Sequence, residues 1–251
     1  MTTDLRSVAP EDFTPEHAAW LNRELDGADA HEIVKVAVDI FGDTLTTACS
    51  FQDLVLLDLT YKIDSSVRVF TLDTGFLFET TEATMRRALK RYPELNLESY
   101  RPVTDIGGQA AEHGPRLYAR DSEACCAIRK LEPMSRALGG ARAWMTGIRR
   151  DQSPTRATVP PVAWDYKWDM VKFAPLCAWT IDDIRTYCTV HEVDYNPLLD
   201  RGYPSIGCAP CTRPSTAEDA RGGRWAGTSR TECGLHSGAP ATKTDRERGQ
   251  T

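Results

Sequence analysis

Short apolar segments alternate with helical segments through residues 45–145, and this order restricts the fold more than any other feature. The predicted strands span 45–49, 67–72, 95–100 and 141–145, and the predicted helices between them span 54–61 and 78–91. Two further helices, begun by Thr14 and Asp29, precede the first strand. Such alternation is typical of an α/β protein with a doubly wound, mostly parallel sheet, whose site lies at the carboxyl ends of the strands.

Two strand-to-helix turns are expected at that edge. Ser50-Phe51-Gln-Asp53 follows the first strand and precedes an apolar helix, a position from which backbone N–H groups can bind phosphate. The second strand ends at Leu72 and is followed by Asp73-Thr-Gly75. Taken alone, a turn of this kind is equally well explained as a plain connecting loop.

The loop after the fourth strand is rich in arginine. Arg149, Arg150 and Arg156 lie within eight residues, separated by glutamine, serine and proline. A solvated turn is one interpretation. An anion clamp is the other, because guanidinium groups match pairs of phosphate or sulfate oxygens.

Two cysteine pairs indicate a metal centre. Cys208 and Cys211 are spaced as two ligands of one centre, and Cys125 and Cys126 adjoin on a predicted helix that also carries Lys130. Four thiolates satisfy either a tetrahedral zinc ion or a four-iron cluster, and the adjacent pair favours iron and sulfide. The cysteines expected to be small buried residues are Cys49, Cys177 and Cys188.

Composition limits the class of protein. With 251 residues, 41% of them hydrophobic, the chain can form one core with a loose tail. Its 30 basic and 36 acidic residues give a net charge of -6, so we expect no nucleic-acid partner and no anionic membrane surface. No signal peptide or membrane span is apparent, which predicts a cytoplasmic protein. Eight cysteines in that compartment indicate metal or redox chemistry rather than disulfides.

Residues 162–173 alternate aromatic and polar positions, which predicts a strand or hairpin. Trp164, Tyr166, Trp168 and Met170 are interpreted as packing residues rather than as a platform for stacking bases. A helix that begins after Thr180 is expected to follow.

Five motifs in order resemble the assimilatory adenylyl-sulfate reductases, within the phosphoadenylyl-sulfate/adenylyl-sulfate reductase family. They are Leu72-Asp-Thr-Gly75, Cys125-Cys126-x-x-Arg129-Lys130, the loop 149–156, Cys208-x-x-Cys211-Thr-Arg-Pro and Glu232-Cys233-Gly-Leu-His236. The resemblance covers about residues 30–236. It implies an adenine nucleotide alpha-hydrolase-like (Rossmann-like) fold and thioredoxin-dependent reduction of adenosine 5'-phosphosulfate to sulfite and AMP.

The resemblance also implies roles for particular residues. The ligands of a [4Fe-4S] cluster would be Cys125, Cys126, Cys208 and Cys211, and Cys233 would be the nucleophile. Lys130, Arg156, Arg221 and Arg224 would surround the phosphosulfate, while Ser50, Phe51, Leu72 and Gly75 would line the nucleotide pocket. The first loop is shorter than is common in the family, so the motif supports the assignments of Ser50 and Phe51 least. Glu79-Thr-Thr is a second departure, in place of the proline-glutamate step often found there.

Chemistry supports these assignments independently. A thiolate that attacks the sulfur of a phosphosulfate approaches several negative oxygens, so nearby cations must screen that charge. Arg149 and Arg150 are further candidates for this substrate-binding role. His236 is a candidate for assisting Cys233, and a surface position in a mobile tail is the alternative interpretation.

Release of sulfite from a Cys233 thiosulfonate needs a second thiol, and the sequence after Cys211 has no cysteine besides Cys233. The reductant must therefore be external, either thioredoxin or a glutaredoxin-like dithiol. We expect a reductase domain over 1–215 and a flexible catalytic tail over 216–251. The glycines that suit this tail are Gly222, Gly223, Gly227, Gly234 and Gly238. A homo-oligomer is compatible with the sequence.

Three alternatives are weighed. A reductase of the 3'-phosphorylated nucleotide typically has the terminal cysteine but lacks the cluster cysteines. A metal-binding tRNA sulfur-transfer enzyme with a PP-loop usually shows Ser-Gly-Gly-x-Asp-Ser where this chain has Ser50-Phe-Gln-Asp53. A non-catalytic iron-sulfur sensor would leave the arginine loop and the Glu232–His236 motif unexplained.

Overall fold

The protein is described by a computed structural model of residues 5–236 apart from 217, 218, 227, 229 and 231. The predicted glycines Gly227 and Gly238, and the rest of the predicted tail beyond His236, lie outside the described residues. Within them, six strands form one sheet in the order β3-β2-β1-β4-β6-β5. The strands are β1 Leu45–Ala48, β2 Arg68–Leu72, β3 Leu97–Tyr100, β4 Ala143–Thr146, β5 Val162–Asp165 and β6 Met170–Phe173.

The sheet is mostly parallel, as predicted. β1 pairs in parallel with β2 and with β4, and β3 and β6 extend the parallel sheet on either side. β5 alone among the described strands runs antiparallel, as the first half of a hairpin with β6. The sequence interval 162–173, predicted as a strand or hairpin, is therefore a hairpin that closes one edge of the sheet.

Helices cover both faces of the sheet. They are α1 Pro15–Glu24, α2 Ala30–Phe41, α3 Val55–Ile63, α4 Glu79–Arg91, α5 Ile106–His113, α6 Leu117–Arg120, α7 Ser122–Cys126, α8 Glu132–Ala137 and α9 Ile181–Val190. The predicted caps are confirmed at Thr14, Asp29 and Thr180, whose side chains accept hydrogen bonds from the first helical turn. Among the described helices, none combines the length and apolar character needed to cross a bilayer.

The core follows from the alternation of side chains along each strand. In β4, Ala143 and Met145 face the larger core, whereas Trp144 between them packs with Phe70 and Met134 on the opposite face. The central strand β4 is buried on both faces, whereas the edge strand β3 leaves Glu98 and Ser99 exposed. The predicted buried cysteines Cys49, Cys177 and Cys188 are indeed buried.

A π-helical turn, Ala127–Leu131, connects α7 to α8 and closes with a hydrogen bond from the Glu132 N–H to the Ala127 carbonyl. Such turns hold one residue more than an α-helical turn and recur at functional sites. This turn directly follows the cysteine pair at the end of α7, and it carries Lys130. Asp121 caps α7, because its side chain accepts hydrogen bonds from the N–H groups of Glu123 and Ala124.

Candidate active site

A cavity of about 220 Å³ lies at the carboxyl ends of β1, β2 and β4. This is the edge at which a parallel sheet presents its loops and the first turns of its helices. The sequence-predicted site residues that line it are Ser50, Leu72, Lys130, Arg156, Cys208, Arg221, Arg224, Cys233 and His236. The cavity therefore brings together residues that are separated by more than half the chain.

Arg156 and Arg221 meet the same carboxylate in this cavity. Arg156 donates from Nε and Nη2 to the two oxygens of Glu232, both at 2.8 Å, and Arg221 Nη2 donates to Glu232 at 3.1 Å. Burial, together with the charge of Arg156, lowers the pKa of Arg221 to about 10. Two arginines thus share one carboxylate, so Glu232 neutralises only part of their positive charge.

Arg224 is held at the cavity by a close backbone approach. Its Nη1 donates to the Ser205 hydroxyl at 3.3 Å, and its guanidinium lies 4.7 Å from the centre of the Trp225 ring. A Cβ added at Gly207 would lie 2.1 Å from Arg224 Nη2, so only glycine leaves room for this guanidinium. The position of Arg224 is therefore set by the glycine that precedes Cys208.

Backbone pairing joins the Cys208–Cys211 segment to the arginine segment. Thr212 and Arg224 form an antiparallel bridge, and the Trp225 N–H donates to the Cys211 carbonyl at 3.0 Å. A Cβ at Gly223 would collide with the Arg213 carbonyl oxygen, which explains the glycine at that place. This pairing brings Arg221, Arg224 and Trp225 next to the second cysteine pair.

Cys233 is 7% exposed and packs beside Cys126 and Trp225. Burial alone raises the pKa of its thiol, but Lys130, the Leu235 backbone N–H and Arg224 act in the opposite direction and hold the pKa below its ordinary value. The thiolate, which is the nucleophilic form, is thus favoured at this position. The surrounding cations are those that line the cavity.

His236 is half-buried with its ring packed on β4, so it is not the surface position of the alternative interpretation. Its ring stacks on Trp144 with centroids 5.6 Å apart and planes 8° apart, and its Nδ1 is enclosed with no hydrogen-bond partner among the described residues. Burial, followed by the charge of Lys172, lowers the pKa of His236 well below its usual value. The imidazole is therefore neutral here, and Trp144 provides the apolar surface that holds it.

The four cysteines predicted as metal ligands come together from two parts of the chain. All eight cysteines of the sequence fall within the described residues, and all are free thiols. Burial raises the pKa of Cys211 to about 11, and the nearby thiols of Cys208, Cys126 and Cys125 add to that effect. In the described part of the chain, no three His, Cys, Asp or Glu side chains are arranged around a single metal-ion position.

Two polar side chains that the sequence did not single out contact these thiols. The Thr74 hydroxyl lies 3.4 Å from Cys208 Sγ, and the Gln109 amide donates to Cys125 Sγ at 3.9 Å. Gln109 in turn accepts from Arg129 Nε at 2.6 Å, which fixes its amide nitrogen toward the sulfur. Thr74 lies inside a quoted motif, whereas Gln109, on α5, has no local pattern that would have revealed it.

Arg129 and Lys130 are buried cations, 2% and 8% exposed. Neither has a carboxylate within ion-pair distance among the residues that the structure describes. Burial by itself lowers the pKa of Lys130, but the thiols of Cys208 and Cys233 outweigh it and raise the pKa above its ordinary value. The sulfur atoms are thus the main counter-charge for this lysine.

Four predicted substrate residues lie away from the cavity lining. Phe51 is buried in the main core with a left-handed φ of 54°, and Gly75 faces Ile106 and Arg129. Arg149 is 2% exposed and pairs with Asp151 at 3.0 Å, while Arg150 is exposed and donates to the Val159 carbonyl. Of the three arginines in that loop, the fold turns Arg156 into the cavity.

The hairpin aromatics divide between packing and exposure. Trp164 packs against the larger core and Trp168 against the smaller one, as predicted. Tyr166 is 48% exposed in the turn, so the expectation that it packs is wrong. The turn of a two-stranded edge hairpin projects beyond the sheet and leaves its outer residue in solvent.

Comparison with known proteins agrees with this geometry. Residues 44–214 match the model of the phosphoadenosine phosphosulfate reductase domain. The chain is 48% identical to adenosine 5'-phosphosulfate reductase 1 of Bacillus subtilis, over 82% of this chain and 90% of that protein. It is 42% identical to a phosphoadenosine 5'-phosphosulfate reductase of Gloeobacter violaceus, over 93% and 98% of the two chains.

Solved structures give the same fold. The crystal structure of phosphoadenylyl-sulfate reductase from Candida auris in a phosphate complex aligns with a TM-score of 0.70 at 30% identity, over 79% of this chain and 97% of that one. FMN adenylyltransferase of Candida glabrata shares the fold alone, with a TM-score of 0.51 at 16% identity over 84% and 73%.

The fold is that of the adenine nucleotide alpha-hydrolase-like class, and the reductases to which the chain is similar identify it as an oxidoreductase of that class. Within that class, the chain belongs to the phosphoadenosine phosphosulfate reductase domain family. The family predicted from the sequence motifs is confirmed.

Proposed function

We propose that this protein reduces adenosine 5'-phosphosulfate to sulfite and AMP, as a cytoplasmic step of sulfate assimilation. One observation carries the proposal: the thiol of Cys233, with its pKa held low, lies in the same cavity as Lys130, Arg156, Arg221 and Arg224. The relative from Bacillus subtilis, at 48% identity, bears the name of this activity.

The arrangement of the cavity suits a phosphosulfate nucleotide. Arg156 and Arg221 already hold a carboxylate through several N–H···O contacts, so the same forks can hold phosphosulfate oxygens. Leu72 and Ser50 lie at the strand ends where the nucleoside is expected. Cations at the bridging oxygen stabilise AMP as it leaves.

In the first half-reaction, the Cys233 thiolate attacks the sulfuryl sulfur. A new S–S bond forms, the S–O bond to the phosphate breaks, and AMP leaves with that electron pair. The product on the enzyme is a Cys233 thiosulfonate. Lys130 is well placed for this step because it is the first cation that lowers the pKa of Cys233.

In the second half-reaction, a thiolate of an external dithiol attacks Cys233 Sγ and sulfite leaves with the S–S electron pair. The second thiol of the donor then resolves the mixed disulfide, which returns Cys233 as a thiolate and oxidises the donor. Thioredoxin or a glutaredoxin-like protein supplies this chemistry. Cys233 is nearly buried, so the segment from 216 onward must open between the two steps, as the catalytic tail of the reductase domain 1–215.

The cysteine group fits a [4Fe-4S] cluster. Each iron of such a cluster takes its own thiolate, so the four sulfurs need not surround one ion position. The ligands would be Cys125, Cys126, Cys208 and Cys211, and buried Arg129 and Lys130 would offset the net negative charge of the ligated cluster. When bound, the cluster would order the residues beside the cavity and add charge there. The two electrons that reduce the substrate come from the external dithiol.

A sulfite-release assay tests the proposal. The purified chain is incubated with thioredoxin, thioredoxin reductase and NADPH, and with either adenosine 5'-phosphosulfate or its 3'-phosphorylated form. We expect turnover with the former, and its abolition in Cys233→Ser while iron content and visible absorbance persist. Turnover of the 3'-phosphorylated nucleotide alone would assign the activity named for the Gloeobacter relative, and sulfite release by Cys233→Ser would refute the mechanism.

A further inference from the structure

The turn of the β5–β6 hairpin contacts the backbone that follows Cys233. Lys167 Nζ donates to the Gly234 carbonyl at 2.7 Å, and Trp168 Nε1 donates to the Leu235 carbonyl at 3.4 Å. These carbonyls belong to consecutive residues, and Gly234 directly follows the cysteine. Two side chains from one turn therefore hold the carbonyl groups of the two residues that follow Cys233.

The turn that provides these donors is itself well ordered by hydrogen bonds. The Asp165 carboxylate accepts from the Lys167 N–H at 3.2 Å, and the Asp165 carbonyl accepts from the Trp168 N–H at 3.2 Å. Because β5 and β6 are paired on both sides of it, the turn is a fixed element of the sheet. It can thus define the place of a segment that has little regular structure of its own.

Side-chain packing reinforces the backbone contacts. Leu235 and Trp168 both pack against the smaller core, and His236 stacks on Trp144 of β4. Gly234 has a φ of 84°, so the chain turns sharply between Cys233 and these anchored residues. The chain on the carboxyl side of the cysteine is therefore held by the hairpin and by β4 together.

We propose that Lys167 and Trp168 are positioning residues that hold the Cys233 segment in its closed place over the cavity. Neither side chain lines the cavity among the described residues. Their donors bind main-chain carbonyls, so they fix where the segment lies and leave the side chain of Cys233 directed at the cavity. The role of Cys233 as nucleophile rests on the proposed function, but the docking contact does not.

Accessibility of Cys233 to iodoacetamide tests the proposal in the full chain without nucleotide or reductant. Lys167→Met keeps the length of the side chain and removes the donor, and Trp168→Phe keeps a ring and removes the N–H. The rate of alkylation of the Cys233 peptide is followed by mass spectrometry over a range of pH, and the limiting rates at high pH are compared. At that limit the thiol is fully ionised in every variant, so differences in its pKa do not affect the compared rates.

We expect the limiting rate to rise about tenfold in Lys167→Met, because a hydrogen bond from a charged donor favours the closed state by about that factor. Trp168→Phe should give a smaller rise, and Lys167→Arg, which keeps a donor, should return the rate toward that of the native chain. Lys90→Met, an exposed lysine at the end of α4, is the matched control and should leave the rate unchanged. An unchanged rate in Lys167→Met with native thermal stability would overturn the proposal.

The assay of sulfite release provides the second readout. Lys167→Met should lower kcat and leave KM for the nucleotide near the native value, because the lysine lies outside the cavity lining. A raised KM with native kcat would contradict a positioning role. Since alkylation needs no substrate, failure of the docking proposal and failure of the proposed reaction give different results.

Discussion

Arg156 and Glu232 form a two-point ion pair, with Nε and Nη2 each 2.8 Å from a carboxylate oxygen. The pair joins the loop after β4 to the residue immediately before Cys233. Glu232 therefore occupies part of the positive surface at which the proposed anionic substrate would bind. Burial raises the pKa of Glu232, but Arg156 outweighs it and keeps the pKa low, so the carboxylate stays charged near neutral pH.

Glu232→Gln should strengthen the binding of AMP. The arginines lose a competing anion, and we expect the dissociation constant to fall by about fivefold, equivalent to about 1 kcal/mol. Calorimetric titration with AMP measures it. Glu82→Gln, which changes an exposed glutamate on α4, is the control for net charge. Weaker or unchanged AMP binding in Glu232→Gln would show that the two anions do not share a site.

Cys211→Ala should remove the iron and most of the activity. One ligand of a four-thiolate cluster is lost, and the thiols of Cys125 and Cys126 are left buried with raised pKa values. Iron and acid-labile sulfide are measured on protein purified without oxygen. Cys188→Ala, a buried cysteine outside the group, should retain both. Native iron content in Cys211→Ala would disprove the ligand assignment.

Lys130→Gln should make the Cys233 thiol harder to ionise. The lysine is the cation that does most to lower the pKa of Cys233, so its loss should raise that pKa. The thiolate is the reactive form, so alkylation at neutral pH slows and the midpoint of the pH-rate profile moves upward. Lys130→Arg should restore the midpoint in part.

Lys90→Gln serves as the control for Lys130→Gln, because it removes an equal charge from the surface. Iron is measured in both preparations. If Lys130→Gln kept a full iron content and the native midpoint of the pH-rate profile, Lys130 would have no effect on the pKa of Cys233.

Gly207→Ala should displace Arg224. The added Cβ would lie 2.1 Å from Nη2, so the guanidinium must leave Ser205, and KM for the nucleotide should rise about tenfold. Steady-state kinetics measures the change. Gly107→Ala, in the exposed first turns of α5, places its Cβ no closer than 3.4 Å to a neighbour and should behave as the native chain. Equal kinetics for the two variants would mean that Arg224 does not bind substrate.

The sheet could be predicted because short strand-forming segments alternate with helical ones, and because its central strand β4 is buried on both faces. Lys130 and the cysteine pairs could be located because their spacing is local. The direction of each arginine in the 149–156 loop could not be predicted. It depends on Asp151, on the Val159 carbonyl and on Glu232, the last of these 76 residues away. His236 was misjudged for the same reason, since the Trp144 ring that holds it belongs to a distant strand.

The π-helical turn Ala127–Leu131 sets the phase between two halves of one helix. Its extra residue rotates everything downstream by about 100° relative to an uninterrupted α-helix. Upstream, Cys125 and Cys126 face the sulfur group, and downstream Met134 and Ala137 face the smaller core. Without that extra residue, the cysteine pair and the core residues Met134 and Ala137 could not both keep their present directions. The placement of the thiols and the packing of the smaller core are therefore linked through this one turn.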